Sequence, residues 1–343
     1  MNTRIFQTLI KSASLTVIVL VFSSMVSAQL FSYKLVDQVV NDIAYSPITG
    51  MLYASVPSTG GQYGNHLIVI DPKAGAIVNS VFAGSEPNKL AMTNDGKYLY
   101  VGVDGAASVK RFVLASLTSD ISISLGIGND GPYIAEDIAP IPGRPNVVAV
   151  SRRDTCCSPR HEGVVLFDNG IQLSNATSAN SETNEIEAGD DGTSLYGYNN
   201  ETSGFQFRQL YIDSNGVYIA SSQPNTFGAY SLKIRYSAGR VYASNGKIVE
   251  ASTGTPVGAF AVSGFADGIA IDKRNSRVLF VIGSSLKAFR TETFQPIGTI
   301  NLPSSVGTPA QLTRWGRRGF AYRTTDGKLA LAESLLVTQK SQQ

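Results

Sequence analysis

Cysteine is almost missing from this chain. Its only two, Cys156 and Cys157, are neighbours, so no disulfide can tie distant segments together and stability has to come from packing and closure. The pair has three arrangements open to it: a bond to each other, two thiols, or bonds to another molecule. Strained disulfides tend to be labile and redox-active, but a role in stiffening their own loop is the preferred reading. Charge of one sign is also scarce. Charged residues make up 16% of the sequence, the net formal charge is +2, and Lys and Arg stand singly or in pairs such as Arg152-Arg153 and Arg317-Arg318. Without a basic patch or stripe, nucleic acid is not expected as a partner. Signatures of common chemistry are missing as well: there is no G-x-S-x-G, no H-E-x-x-H and no C-x-x-C. Helical periodicity is absent beyond the leader, because Gly, Pro or β-branched residues interrupt every apolar i, i+3, i+4, i+7 pattern.

Long apolar runs are limited to one, Ala13–Phe22 (ASLTVIVLVF). It follows Arg4 and Lys11 and precedes the small residues Val26-Ser27-Ala28, the order of a secretory leader. The expectation is a signal peptide over 1–28 and a mature chain from Gln29. Such a chain is secreted or periplasmic and makes no stable membrane insertion after cleavage.

What is present is a repeat. The stretch Asp42–Gly84 reads DIAYSP-ITG-MLYASV, a loop, then HLIVIDPKAG-AIVNSVFAG: four runs rich in Val, Ile, Tyr and Leu, broken by turn residues. Related phrases begin near Lys89 (KLAMT-NDG-KYLYVGV), Glu136, Glu185, Ser231, Gly268 and Gln311. Seven units at roughly 45 residues predict an all-β chain: a single seven-bladed β-propeller of four-stranded antiparallel blades over 29–343. The last unit ends in KLALAES and SLLVTQK, read as two strands, and FSYKLVDQVV near the start has no partner of its own. The ring is therefore predicted to close by pairing Phe31–Val40 with Leu329–Val337.

The phrases SEPNKLAMTNDGKYLYVGVDGAASVKRF and VIDPKAGAIVNSV resemble the bacterial propellers with YVTN-type repeats. In that family a proline precedes the inner strand, and Asp-Gly-Lys precedes Leu-Tyr-Val. Pro87, Asp95-Gly96-Lys97 and Leu99-Tyr100-Val101 match this order. Units three, four, five and seven depart from it. The resemblance implies the fold; lactonase-like enzymes, cofactor proteins and plain binding modules all occur on such propellers.

Propeller geometry then nominates a site. Each inner strand starts at one mouth of the central channel, and the loop joining second and third strands opens on the same face. The inner strands begin at Asp42, Asn88, Glu136 with Asp137, Glu185, Asp267 and Gln311. Oxygen ligands in a ring suit a hard cation, so Asp42, Glu136, Asp137, Glu185 and Asp267 are candidate Ca²⁺ ligands, and Ca²⁺ is the one cofactor considered. The competing and preferred reading is that these acids are solvated or paired with Lys89, Lys233 or Arg235. Asn88, Arg152, Arg153 and Gln311 are candidate ligand-binding residues. His66, His161 and Arg160, on or beside the long loops of the first and third units, are candidates for acid–base work and anion holding, although histidines on loops are more often surface residues. Tyr196, Tyr198, Phe205 and Phe207 are read as core between blades, ahead of a sugar platform. The leading expectation is a non-catalytic binding or scaffold module for an extracellular protein, a glycan or a small ligand. The alternative is a cation-dependent, lactonase-like hydrolase.

Overall fold

The computed structural model describes residues 31–179, 181–303 and 307–337. The leader assigned to 1–28 lies outside the described residues. Seven four-stranded antiparallel sheets stand in sequence around one axis. The first uses Asp42–Tyr45, Leu52–Ser55, His66–Asp71 and Ala76–Phe82, each pairing with the next. Five more blades repeat this order, and a two-stranded ribbon, Ile127–Gly128 with Gly131–Pro132, separates the second from the third. The seventh blade is composite. Its outer strand is Phe31–Val36, paired antiparallel with Leu329–Ser334 from Phe31 opposite Ser334 to Val36 opposite Leu329. Ring closure by the N-terminal strand is thus as expected.

Of SLLVTQK, residues 338–340 lie outside the described residues, and residues 334–337 do not form a second closing strand. Leu335–Val337 forms a 3₁₀ turn, begun by the Ser334 hydroxyl accepting the Leu336 N–H at 3.1 Å. The place beside Leu329–Ser334 is already filled by Phe31–Val36, so the chain has no edge left there on which to pair.

The repeated phrases follow from where each strand sits. Second strands such as Leu52–Ser55 and Tyr98–Val103 are buried along their whole length, because both of their faces meet neighbouring blades. The core is accordingly a set of seven seams. One joins Leu67 and Val69 of the first blade to Leu99, Val101 and Phe112 of the second, and another joins Leu279 and Leu286 of the sixth to Phe320 and Tyr322 of the seventh. Tyr196 stacks on Phe207 within the fourth blade and on Tyr236 of the fifth at 5.2 Å, and Tyr198 meets Phe227 edge-on, which bears out the reading of these aromatics as core. The Asp95-Gly96-Lys97 turn works through its small parts: Asp95 Oδ1 accepts from the Thr93 hydroxyl and from Lys97 N, while Gly96 takes φ +66°, which favours glycine. In five blades the pairing of third and fourth strands carries one register shift, as at Val69/Ile70 and Arg111/Phe112. Such a bulge increases local twist, which splays the outer strands of a radial blade.

Polar clasps supplement the seams. Arg111 is buried, bonds Asp120 through Nε at 3.0 Å and Nη2 at 2.7 Å, donates Nη1 to Asn146 of the next blade at 3.0 Å, and lies 4.1 Å over the Tyr98 ring. Replacing Arg111 by Leu is expected to cost about 2 kcal/mol, since charged hydrogen bonds are lost across a seam. Urea unfolding would measure it, and a change below about 0.5 kcal/mol would place the clasp among ordinary surface contacts.

Candidate functional site at the channel mouth

The seven inner strands are Asp42–Tyr45, Pro87–Met92, Ile134–Ile141, Glu185–Ala188, Ile234–Ser237, Gly268–Asp272 and Pro309–Trp315. They surround a cavity of about 560 Å³ to which every blade contributes. Strand alternation decides what it is lined with. In Glu185-Ile186-Glu187 and in Lys233-Ile234-Arg235 the isoleucines are buried in seams, while the charged residues on either side line the channel. Tight packing of the inner strands adds a constraint at Gly268, where a Cβ would stand 2.7 Å from Leu312 N of the next blade.

Each acid in the mouth has structural work. Asp42 Oδ1 accepts from Ile43 N and from the Gln311 amide of the seventh blade, and its Oδ2 accepts Leu90 N of the second blade at 2.9 Å. Asp137 repeats the pattern, accepting Ile138 N at 3.0 Å and Ile186 N of the following blade at 2.9 Å. Glu187 accepts Tyr236 N at 3.3 Å and pairs with Arg235 at 3.0 Å, and Glu185 pairs with Lys233. These carboxylates tie the first inner strand to the second and the seventh, the third to the fourth, and the fourth to the fifth. The pairing with Lys233 and Arg235 considered from the sequence is present.

Electrostatics follow from this crowding. Burial pushes the Glu187 carboxyl up to about 7, with the Arg235 guanidinium pulling against it and the Asp137 charge adding to it. Burial and the neighbouring Glu185 raise Asp137 despite Lys89. Glu185 is buried too, yet Lys233 and Lys89 hold its carboxyl below the usual range. For Lys89 burial works against the charge, but Asp137, Glu185 and Asp42 outweigh it, and the ammonium is held above its ordinary range.

The other nominated residues are distributed as follows. Asn88 and Gln311 line the channel, and Asn88 donates to Asp104 at 2.8 Å. Asp267 also lines it, accepting Gly283 N at 3.2 Å. Glu136 faces away, accepting from Asn184 at 3.0 Å in the seam of the third and fourth blades. Among the described residues no three His, Cys, Asp or Glu side chains are gathered as a metal ion would require. Asp42, Asp137 and Glu185 line the same channel as Lys89, and their charges act on its ammonium.

The histidines are not loop residues. His66 opens the third strand of the first blade, half-buried, with Nδ1 2.7 Å from Gly64 O and its ring against Phe82. His161 opens the third strand of the third blade, opposite Arg153, and is 1% exposed. Its Nε2 lies 2.9 Å from Ser181 Oγ and its Nδ1 3.3 Å from Ser151 Oγ. Burial, helped by Arg208, holds its imidazole down to about 3, so it is neutral at ordinary pH. Ser151 is wholly buried and donates to Thr183 O at 3.0 Å, so the pair is structural in form. Neither histidine lines the channel.

Arg152 is also a clasp. It lies 4.8 Å from the Tyr133 ring centroid and donates to Leu125 O and Glu162 O, each at 3.1 Å. Arg153 does not line the channel; it stands near Glu136 and Asp104, offsetting the rise in both carboxyls. Arg160 pairs with Glu201 at 2.9 Å, anchoring the loop whose exposed tip carries Cys156 and Cys157, bonded to each other.

Lys89, Lys233 and Arg235 appeared in the sequence only as partners for acids, and Glu187, Arg314 and Arg323 were missed; all six line the cavity. The signal that locates Glu187 and Arg235 is alternation: the residue two positions beyond a channel-facing residue faces the channel again.

No family model and no curated protein matches the chain. Solved structures do. The chain is similar to a Kuenenia stuttgartiensis hydrazine synthase chain at 12% identity and TM-score 0.63, covering 88% of this chain and 97% of that one. It is likewise similar to the Cps50 (Swd1) β-propeller domain of Myceliophteria thermophila at 12% identity and TM-score 0.66, covering 88% and 99%. At such identity the likeness establishes the propeller and nothing of its chemistry.

Proposed function

We propose that this chain is an exported binding module that takes up a small polar ligand in the mouth of its channel. The observation that carries the reading is the cavity of about 560 Å³, built from all seven inner strands and lined by charged side chains set on rigid backbone. A concave site of this volume suits a metabolite-sized ligand, and polar groups on strands are positioned more firmly than on loops. Export rests on the leader pattern of 1–28. The catalytic alternative has no support of this kind, since neither histidine reaches the cavity.

Ligand-observed NMR with a mixed library of neutral, anionic and cationic metabolites tests the reading. At least one compound is expected to bind, and to lose binding in Thr313→Trp, which narrows the channel from the seventh inner strand. Binding that survives this substitution, or a library with no binder, would overturn it.

A further inference from the structure

The chemical class of the ligand can be read from which hydrogen-bonding groups the protein leaves unused. On the acidic side little remains. Asp42 and Asp137 each accept backbone N–H groups on both oxygens, and Glu187 accepts on both as well. Glu185 spends Oε1 on Lys233 and Asn200. Of the five carboxylates lining the channel, only Glu185 Oε2 and the solvent-exposed Asp267 Oδ1 keep an oxygen without a donor among the described residues, and Gln311 adds one amide oxygen, Oε1, that is buried and unpaired.

On the basic side the surplus is large. The Lys89 ammonium, on the second inner strand, has no hydrogen-bond acceptor among the described residues, although three carboxylates from the first, third and fourth blades influence it. Lys233 uses one N–H on Glu185 and is 41% exposed at its side chain. Arg235 spends only Nη1, on Glu187 and on Ile234 O, leaving Nε and Nη2. An ammonium offers three donors and a guanidinium five, so most of the donors on these three residues are uncommitted. Two other cations around the cavity, Lys273 and Arg314, are paired with Asp190 and Asp272 at 3.3 Å each and add nothing to this surplus.

Resting on the binding-module reading, we infer that the channel mouth binds a small anion bearing a carboxylate or phosphate group, with Lys89 as its central contact and Arg235 and Lys233 beside it. A neutral polyol would find many donors here and, for its own hydroxyl protons, chiefly Gln311 Oε1, Glu185 Oε2 and Asp267 Oδ1. A polyamine would meet Lys89, Lys233 and Arg235, while Asp42, Asp137 and Glu187 are already bonded on both oxygens. Lys89 and Arg235 come from the second and fifth inner strands and Lys233 immediately precedes the fifth, so the contact depends on closure of the ring and not on any one blade.

Isothermal titration at low salt with four probes tests this: citrate for carboxylates, inorganic phosphate for phosphoryl groups, glucose and spermidine as the neutral and cationic controls. Citrate or phosphate is expected to bind, weakening as salt is raised, and the relative strength of the two distinguishes a carboxylate from a phosphate ligand. Lys89→Met should weaken that binding at least about tenfold while Lys89→Arg retains most of it, the loss expected for one charged hydrogen bond. Lys73→Met, in an exposed turn, should leave it unchanged. Should Lys89→Met fail to fold, protection in the wild-type chain decides: citrate should slow acetylation of Lys89 and Lys233 but not of Lys73. Binding of glucose or spermidine in place of the anions would end the assignment of ligand class and leave the binding module standing. Anion binding indifferent to Lys89→Met, without protection of Lys89, would also overturn it, and silence from all four probes together with the metabolite library would remove both.

Discussion

A chain that begins at Asp37 instead of Gln29 is expected to lose roughly 3–6 kcal/mol, from about six ladder hydrogen bonds at about 1 kcal/mol each. That is a large share of the 5–15 kcal/mol typical of a folded domain, so cooperative unfolding should shift to much lower urea. Hydrogen bonds rather than apolar burial dominate the estimate because Tyr33 and Leu35 are 43% and 40% exposed, and Val36 is the one residue of the strand that is fully buried. Loss of the strand also leaves Leu329–Ser334 as a bare edge, and such edges recruit other chains. Urea melts of the two chains, with hydrogen exchange at Leu329–Ser334, provide the measurement. Equal midpoints and equal protection would mean that the ring does not depend on its N-terminal strand.

His161→Gln is expected to flatten the loss of stability on acidification. The folded imidazole is held down to about 3 by burial, against 6.5 for an ordinary histidine, so the unfolded chain takes up a proton that the folded chain refuses. The sign is therefore destabilising as pH falls below 6.5, and continues until the folded group titrates near 3. At pH 5 the wild-type chain should have lost about 2 kcal/mol from this residue alone, at about 1.4 kcal/mol per pH unit. Glu201, held low by Arg160 in spite of burial, and Glu187, held high, titrate in both proteins and drop out of the difference. Unfolding free energies at pH 7, 6, 5 and 4 for the two proteins give the comparison. Parallel curves would show that His161 is charged or exposed in solution.

Much of the fold is legible in the sequence for a simple reason. Strand periodicity and turn chemistry are local, and a phrase such as YLYVGV, without a charge along its whole length, requires cover on both faces. Repeating that phrase seven times leaves few ways to provide the cover except a ring of blades. The composite last blade was legible as well, because FSYKLV had no neighbour within its own unit. SLLVTQK misled because an apolar run at a chain end reads as a strand, whereas the edge it would need was already taken by residues three hundred positions away.

The candidate site was legible by position and not by role. Inner-strand starts marked the mouth, and Asp42, Asn88, Asp137, Glu185, Asp267 and Gln311 do line it. Their oxygen-rich character suggested a cation, since a sequence lists carboxylates without saying what they already hold. Glu136 stands one residue from Asp137, and alternation turns it into the seam between blades. His161 read as a loop residue because Arg152–Glu162 is rich in polar and turn residues, yet strand pairing resumes at the histidine and holds it in the interior.

The sequence by itself determined that this chain is an all-β ring of seven units whose ends meet, because short-range alternation and repeat spacing are properties of neighbouring residues. Only the tertiary structure decided that Asp42, Asp137 and Glu187 are bonded on both oxygens, by backbone N–H groups and by side chains such as Arg235 and Gln311, while Lys89 keeps its donors. That balance depends on distances between residues about 50 positions apart, which closure sets and local sequence does not encode.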